Sequence, residues 1–317
     1  MLEHGGQLRA AAVRWSIPLA DWLDLSAGIA PWSYPVPALP VEVWQRLPED
    51  NDGLEATARD YCGASHLLAL PGSQAAIQLL PTLFQAGRVA MPAPIYGEHP
   101  AVWQACGHTL VGWNDPADYA VLCNPNNPTG QCFTRDELLE RARALRLLVV
   151  DEAFIDAAPR ESLAAVAGTT GAVNIIVLRS LGKFFGLAGA RLGFASAAPA
   201  LLGRLAAALG PWAVSHPARW VARHALADTG WQTAQRDRLQ SAALRLGAEL
   251  RATGLGAPSG TALFQYVATP RAAALYAGLA RRGILVRHFD DPAALRFGLP
   301  GSEAAWQRLI NTLKEIV

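Results

Sequence analysis

From about Leu54 onward, short apolar runs alternate with longer amphipathic stretches, the pattern of strands and crossover helices in a mostly parallel sheet, so the chain reads as α/β. Leu67-Leu68-Ala69-Leu70, then Pro71-Gly72-Ser73-Gln74, then the apolar stretch from Ala75 to Phe84 predict strand, turn and helix, with Ser73 near the helix start. Further strands are predicted at 88–91, 109–113, 119–123, 147–151 and 174–178, each continuously apolar in its middle, as strands covered on both faces are. Three of these runs end in polar residues, at Asn124, at Asp151-Glu152 and at Arg179-Ser180, and ligands of open α/β sheets sit outside such carboxyl ends. The pattern then turns helical over 201–209, 219–227 and 232–251. A strand at 263–267, a helix at 272–282, strands at 284–287 and 295–298 and a helix from Ser302 follow, which predicts a small α+β domain. Pro31 to Pro40 carries too many fixed φ angles for a helix or a central strand and reads as an arm. The expected organisation is an N-terminal arm with part of the small domain over 1–45, a large domain over 46–203, linking helices over 204–261, and a small C-terminal domain over 262–317.

Composition narrows the class. Of 317 residues, 51% are hydrophobic and 17% charged, which excludes disorder and a highly charged coiled coil and implies a large buried core. A net charge of +1 leaves no excess of Lys or Arg for a phosphate backbone, so nucleic acid is not an expected partner. The N-terminus lacks the basic and apolar regions of a signal peptide, and no segment offers about 18 uninterrupted apolar residues, so no membrane partner is expected and the expected location is the cytoplasm. Cys62, Cys106, Cys123 and Cys132 are too scattered for a disulfide framework, and no His, Cys and carboxylate cluster at metal-ligand spacing is visible, so no metal is expected.

The chemistry-bearing residues gather after the strands. Asn124-Pro125-Asn126-Asn127-Pro128-Thr129-Gly130 packs three amides into a turn held by two prolines and a glycine; a plain turn would need fewer. Asp151 closes an apolar run, where a carboxylate is costly to bury without a cation or several donors, although it could equally cap a helix. Lys183 lies in a Gly-rich, aromatic setting, Ser180-Leu181-Gly182-Lys183-Phe184-Phe185-Gly186, where a desolvated amine can be neutral and attack a carbonyl; a surface lysine is the plain alternative. The chain has only one other lysine, Lys314.

Pro94-Ile95-Tyr96, Asn-Asn-Pro-Thr-Gly, Asp151-Glu152-Ala153-Phe154, and Ser180-x-x-Lys183 with Arg191 eight residues on, taken in that order, resemble the aspartate-aminotransferase superfamily of pyridoxal phosphate enzymes, fold type I. The resemblance runs from about Leu67 to Arg296, and the nearest groups are the threonine-phosphate decarboxylases of cobalamin biosynthesis and then the histidinol-phosphate aminotransferases. His4-Gly5-Gly6 is similar to the start of the decarboxylase group. It implies a large domain with a mostly parallel seven-stranded sheet, a smaller α+β C-terminal domain, pyridoxal 5'-phosphate as cofactor, and a homodimer. Residue by residue, it implies that Lys183 bonds the cofactor aldehyde and later moves a proton, and that Asp151 faces the pyridine nitrogen. Asn127 would meet the ring hydroxyl, Tyr96 the ring face, and Ser73, Gln74, Ser180 and Arg191 the cofactor phosphate. Arg296 matches the arginine that grips a substrate carboxylate. Two positions depart from the superfamily: Gly28-Ile29-Ala30-Pro31 stands where Asn-x-Asn-Pro is usual, and Phe154 stands where aminotransferases commonly place a tyrosine.

Cofactor motifs do not choose between decarboxylation and transamination, so the choice falls to the substrate end. A phosphorylated amino acid needs donors beyond Arg296, and His4, backbone N–H groups at Gly5 and Gly6, and Arg287 are candidates. Against them stand a frayed terminus at His4 and a simple pairing of Arg287 with Asp290 or Asp291. The reaction that the resemblance implies is decarboxylation of L-threonine O-3-phosphate to (R)-1-aminopropan-2-yl phosphate and CO₂. The alternatives are a histidinol-phosphate-type aminotransferase and a non-catalytic pyridoxal-phosphate-binding regulatory module.

Overall fold

The computed structural model describes residues 4–317. Its strands, in chain order, are β1 Leu23–Leu25, β2 Leu68–Leu70, β3 Arg88–Met91, β4 Thr109–Gly112, β5 Tyr119–Cys123 and β6 Leu147–Asp151. They continue with β7 Ile175–Ser180, β8 Gly193–Ser196, β9 Ser259–Thr261, β10 Phe264–Ala268, β11 Ile284–Asp290 and β12 Ala293–Gly298. The chain divides into a large unit, Ser33–Asn127 with Cys132–Ala234, and a small unit formed by residues 4–32, 128–131 and 235–317.

The large unit is built on a seven-stranded sheet of order β2-β8-β7-β6-β5-β3-β4. The pairs from β4 through β3, β5 and β6 to β7 are parallel, and only β8 runs antiparallel to its neighbours. Every residue of β5 and β6 is buried, and successive residues alternate between two cores. Val121 and Val149 pack into one core, while Ala120, Leu122, Leu148 and Val150 pack into the other. Apolar runs without alternation are therefore the signature of a sheet covered on both faces. Register sets Cys123 beside Asp151 and Asp151 beside Leu178, so β5, β6 and β7 end along one edge of the sheet. Strand β8 was not expected from the sequence; its Gly193-Phe194-Ala195-Ser196 run is short and lacks β-branched residues.

The small unit carries a sheet of order β1-β11-β12-β10-β9, antiparallel except that β1 runs parallel to β11. The helix Leu8–Trp15 packs Ala11 against Trp22, Ala280 and Leu285, so the N-terminal segment shares a core with the C-terminal part of the chain. Ser302 caps the helix Glu303–Ile316 by accepting from the Ala305 N–H. Gly130 has φ +75, and a Cβ there would lie 2.4 Å from the Gly260 backbone, so no larger residue fits this turn. No helix among the described residues is long and apolar enough to cross a membrane.

Candidate active site

Asp151 ends β6 at 4% exposure. Its carboxylate accepts from the Ala153 N–H at 3.1 Å, lies 3.1 Å from His99 Nε2, and takes a weak Cys123 thiol contact at 3.9 Å. His99 comes from the first turn of the helix Glu98–Ala105, and its Nδ1 is buried without a hydrogen-bond partner. Pairing with a carboxylate places the ring proton on Nε2, since a proton on Nδ1 would be stranded. His99, Cys123 and Asp151 thus form a group of metal-ligand types whose ligand atoms lie within 4.8 Å of one another, which the sequence did not suggest because its members stand far apart in the chain. Among the described residues, Asp151 is therefore a buried carboxylate supported by donors but paired with neither Lys nor Arg. A protonated pyridine nitrogen is the kind of cation such a group accommodates.

Ser180 ends β7, and Lys183 follows in the short helix Leu181–Phe184, half-buried, with its Nζ 5.7 Å from the centre of the Phe154 ring. Phe154 brings an apolar face to the amine and no hydroxyl. Arg191 is exposed and left-handed at φ +52, and its Nη2 lies 3.0 Å from where a Cβ on Gly72 would stand. A Cβ on Gly193 would lie 2.6 Å from the Ser73 nitrogen. These two glycines keep open the space around the Ser73 N–H and the Arg191 guanidinium, a cradle that fits a phosphate.

Gln74 follows Ser73 at the helix start, and its side chain is engaged by two neighbours. Its Nε2 donates to Glu98 Oε2 at 3.0 Å and its Oε1 accepts from the Tyr96 hydroxyl at 3.2 Å, so the backbone at Gln74 is what remains for an anion. Burial, with the nearby Glu98 charge, pushes the Tyr96 hydroxyl pKa well above its ordinary value. In the amide-rich turn, Asn124 is fully buried and exchanges hydrogen bonds with the Phe133 backbone at 3.0 and 2.9 Å. Asn126 donates to the Pro94 carbonyl at 2.9 Å. Two of the three amides thus hold the turn together, and Asn127 stands half-buried beside them.

Behind Asp151 lies a network that sequence reasoning missed. Glu152, fully buried, accepts from Ser162 Oγ at 2.6 Å, the Leu163 N–H at 2.7 Å and Arg179 Nη1 at 3.2 Å. Arg179 Nη2 also pairs with Asp156, which accepts from the Tyr61 hydroxyl at 2.7 Å. Burial raises the Glu152 pKa, partly opposed by the Arg179 charge. The acidic pair after an apolar run was a visible signal, but Arg179 and Asp156 were not recognisable as its partners.

In the small unit, Arg296 is buried, donates to the Ser26 carbonyl at 3.0 Å, and lies 5.0 Å from the Phe264 ring centre. Arg287 of β11 stands directly opposite Arg296 of β12, with Tyr266 of β10 on its other side. A Cβ on Gly5 would lie 2.3 Å from the Ser26 carbonyl oxygen, and the Gly6 N–H donates to Ser26 Oγ at 2.7 Å. The segment beginning at His4 is thus fastened to Ser26. His4, Gly5 and Arg287 line one cavity of about 410 Å³, which Arg14 and His288 also border.

The family model for aminotransferase class I and II matches residues 51–313. The chain is 54% identical to a threonine-phosphate decarboxylase of Pseudomonas aeruginosa, over 98% of this chain and 96% of that protein. It is 42% identical to a threonine-phosphate decarboxylase of a Sinorhizobium species, over 98% and 97% of the respective chains. Its fold is similar to that of a histidinol-phosphate aminotransferase from Sinorhizobium meliloti solved in complex with pyridoxal-5'-phosphate, with a TM-score of 0.83 at 20% identity, covering 100% of this chain and 98% of that one.

Proposed function

As the chain belongs to the aminotransferase class I and II family, we propose that it is a pyridoxal-phosphate-dependent decarboxylase that converts L-threonine O-3-phosphate to (R)-1-aminopropan-2-yl phosphate and CO₂. The product is the aminopropanol linker used in cobalamin biosynthesis. One observation of geometry carries the substrate class: Arg287 and Arg296 are directly opposed across β11 and β12. Two guanidinium groups set together on one sheet face suit a ligand that carries two anionic groups. Threonine phosphate brings a carboxylate and a phosphate in a single molecule.

In this reading Arg296 holds the carboxylate, and Arg287, His4 and the Gly5 backbone hold the substrate phosphate. When bound, pyridoxal phosphate supplies an electron sink for the pair left at Cα. Asp151 holds the proton on the pyridine nitrogen, with His99 and the Ala153 N–H keeping the carboxylate in place. Asn127 meets the ring hydroxyl and Tyr96 the ring face. Ser73, Ser180 and Arg191 bind the cofactor phosphate, together with the Gln74 backbone. Lys183 Nζ anchors the cofactor and afterwards returns a proton to Cα. Phe154 leaves the ring hydroxyl without the second donor that a tyrosine would supply, which supports decarboxylation over transamination.

The working form in this reading is a cytoplasmic homodimer. Trp44, Leu47 and Trp212 are 67%, 60% and 60% exposed and border one groove of the large unit, an apolar patch suited to a second copy of the chain. The deciding experiment mixes the protein, pyridoxal phosphate and L-threonine O-3-phosphate with no 2-oxoacid. Stoichiometric CO₂ and aminopropanol phosphate are expected. No CO₂, with amino transfer from histidinol phosphate once 2-oxoglutarate is added, would replace this reading with the aminotransferase.

A further inference from the structure

We propose that Glu98 is a positioning residue for the cofactor: acting through the Gln74 amide, it fixes the orientation of the Tyr96 ring. Three elements supply the relay, with Gln74 from the helix Ser73–Leu79, Tyr96 from the loop after β3, and Glu98 from the first turn of the helix Glu98–Ala105. A carboxylate only accepts, so Glu98 Oε2, 3.0 Å from Gln74 Nε2, forces the amide nitrogen toward itself. The amide oxygen is thereby turned to the Tyr96 hydroxyl, which donates to it at 3.2 Å. Gln78 Nε2 donates to the same Glu98 oxygen at 3.0 Å and braces the carboxylate from the next turn of its helix.

The Tyr96 ring has a second constraint. It meets the His99 ring edge-on, with centroids 6.0 Å apart and planes at 83°, and His99 is the residue paired with Asp151. Residues 98 and 99, adjacent on one helical turn, thus serve the two ends of one arrangement. Glu98 sets the hydroxyl end of Tyr96, and His99 meets its ring while supporting the carboxylate. The Gln74 side chain thus serves as the link between Glu98 and Tyr96.

The inference rests on the cofactor reading given above. The test compares the cofactor-loaded full chain with Glu98→Ala, Glu98→Gln, Tyr96→Phe and the double variant Glu98→Ala/Tyr96→Phe. Visible circular dichroism of bound pyridoxal phosphate reports ring orientation, and fluorescence titration gives its dissociation constant. Glu98→Ala should weaken cofactor binding about tenfold, the scale of one charge-assisted hydrogen bond, and change the visible dichroism. Glu98→Gln should stay near wild type, because its amide oxygen still accepts. Tyr96→Phe should reproduce the Glu98→Ala change, and the double variant should be no worse than either single one. Wild-type dichroism and affinity in Glu98→Ala would overturn the proposal, as would full additivity in the double variant. Tyr96→Phe removes a single oxygen and carries the test even if Glu98→Ala does not fold: an unchanged spectrum there also overturns it. No visible dichroism from the wild-type chain would instead overturn the cofactor reading itself.

Discussion

Arg179→Met offers a quantitative test of the network behind Asp151. The wild-type guanidinium serves two carboxylates, and the Arg179, Glu152 and Asp156 side chains are only 6%, 0% and 4% exposed. Removing the one cation leaves buried charge that water does not screen, a loss of about 3–5 kcal/mol. At roughly 2–4 °C per kcal/mol for a unit of this size, the melting point should fall by roughly 6–20 °C. The loss should depend on pH. Burial already holds the Glu152 pKa above its ordinary value of 4.5, and loss of Arg179 removes an opposing charge, so it rises further. A group whose folded pKa exceeds its unfolded value contributes stability fully below the unfolded value, and that stability is lost as pH rises through the folded one. The variant should therefore lie closer to wild type at pH 5 than at pH 8 when both are melted by circular dichroism. Adding Glu152→Gln and Asp156→Asn should recover much of the loss. A penalty below about 1 kcal/mol, or one equal at both pH values, would refute the assignment of a buried, charge-compensating role.

Other substitutions probe the cofactor and substrate ends. Lys183→Ala should abolish the absorbance of lysine-bound cofactor and turnover, and turnover at the wild-type rate would remove the lysine from the chemistry. Arg296→Ala should weaken substrate binding by about 2–5 kcal/mol in equilibrium titrations while cofactor binding persists; loss of cofactor instead would mean that the arginine serves the other anion. Gly193→Ala drives a Cβ to 2.6 Å from both the Ser73 nitrogen and the Arg179 carbonyl oxygen, so it should cost about 1–3 kcal/mol in denaturant unfolding and lower cofactor affinity. Wild-type values for both would show that this close approach does not shape the site.

Strands β5 and β6 were legible to the residue because burial on both faces leaves an unbroken apolar run with a polar end. Strands β1 and β9 were not, since Leu23-Asp24-Leu25 and Ser259-Gly260-Thr261 are held by pairing with distant strands rather than by their own propensity. The site divides the same way. Asp151, Ser180 and Lys183 stand at strand ends, where local pattern locates them, whereas the partners that orient such groups are joined across long sequence separations. His99 lies 52 residues from Asp151, Glu98 24 from Gln74, and Arg179 27 from Glu152. Gln74 shows the same divide: its place at a helix start was legible, whereas its side-chain hydrogen bonds to Glu98 and Tyr96 were not.

Asp151, the last residue of β6, and Glu152, the residue after it, turn to different partners. The shorter acid meets His99, and the longer one reaches Ser162 and Leu163. Exchanging their order would leave composition, charge and hydropathy unchanged while mismatching both side chains in length. The dipeptide thus behaves as a two-letter word whose meaning lies in its spelling: a drift from Asp-Glu to Glu-Asp, conservative by any substitution score, would count as two lesions, one at each of two separate hydrogen-bond networks.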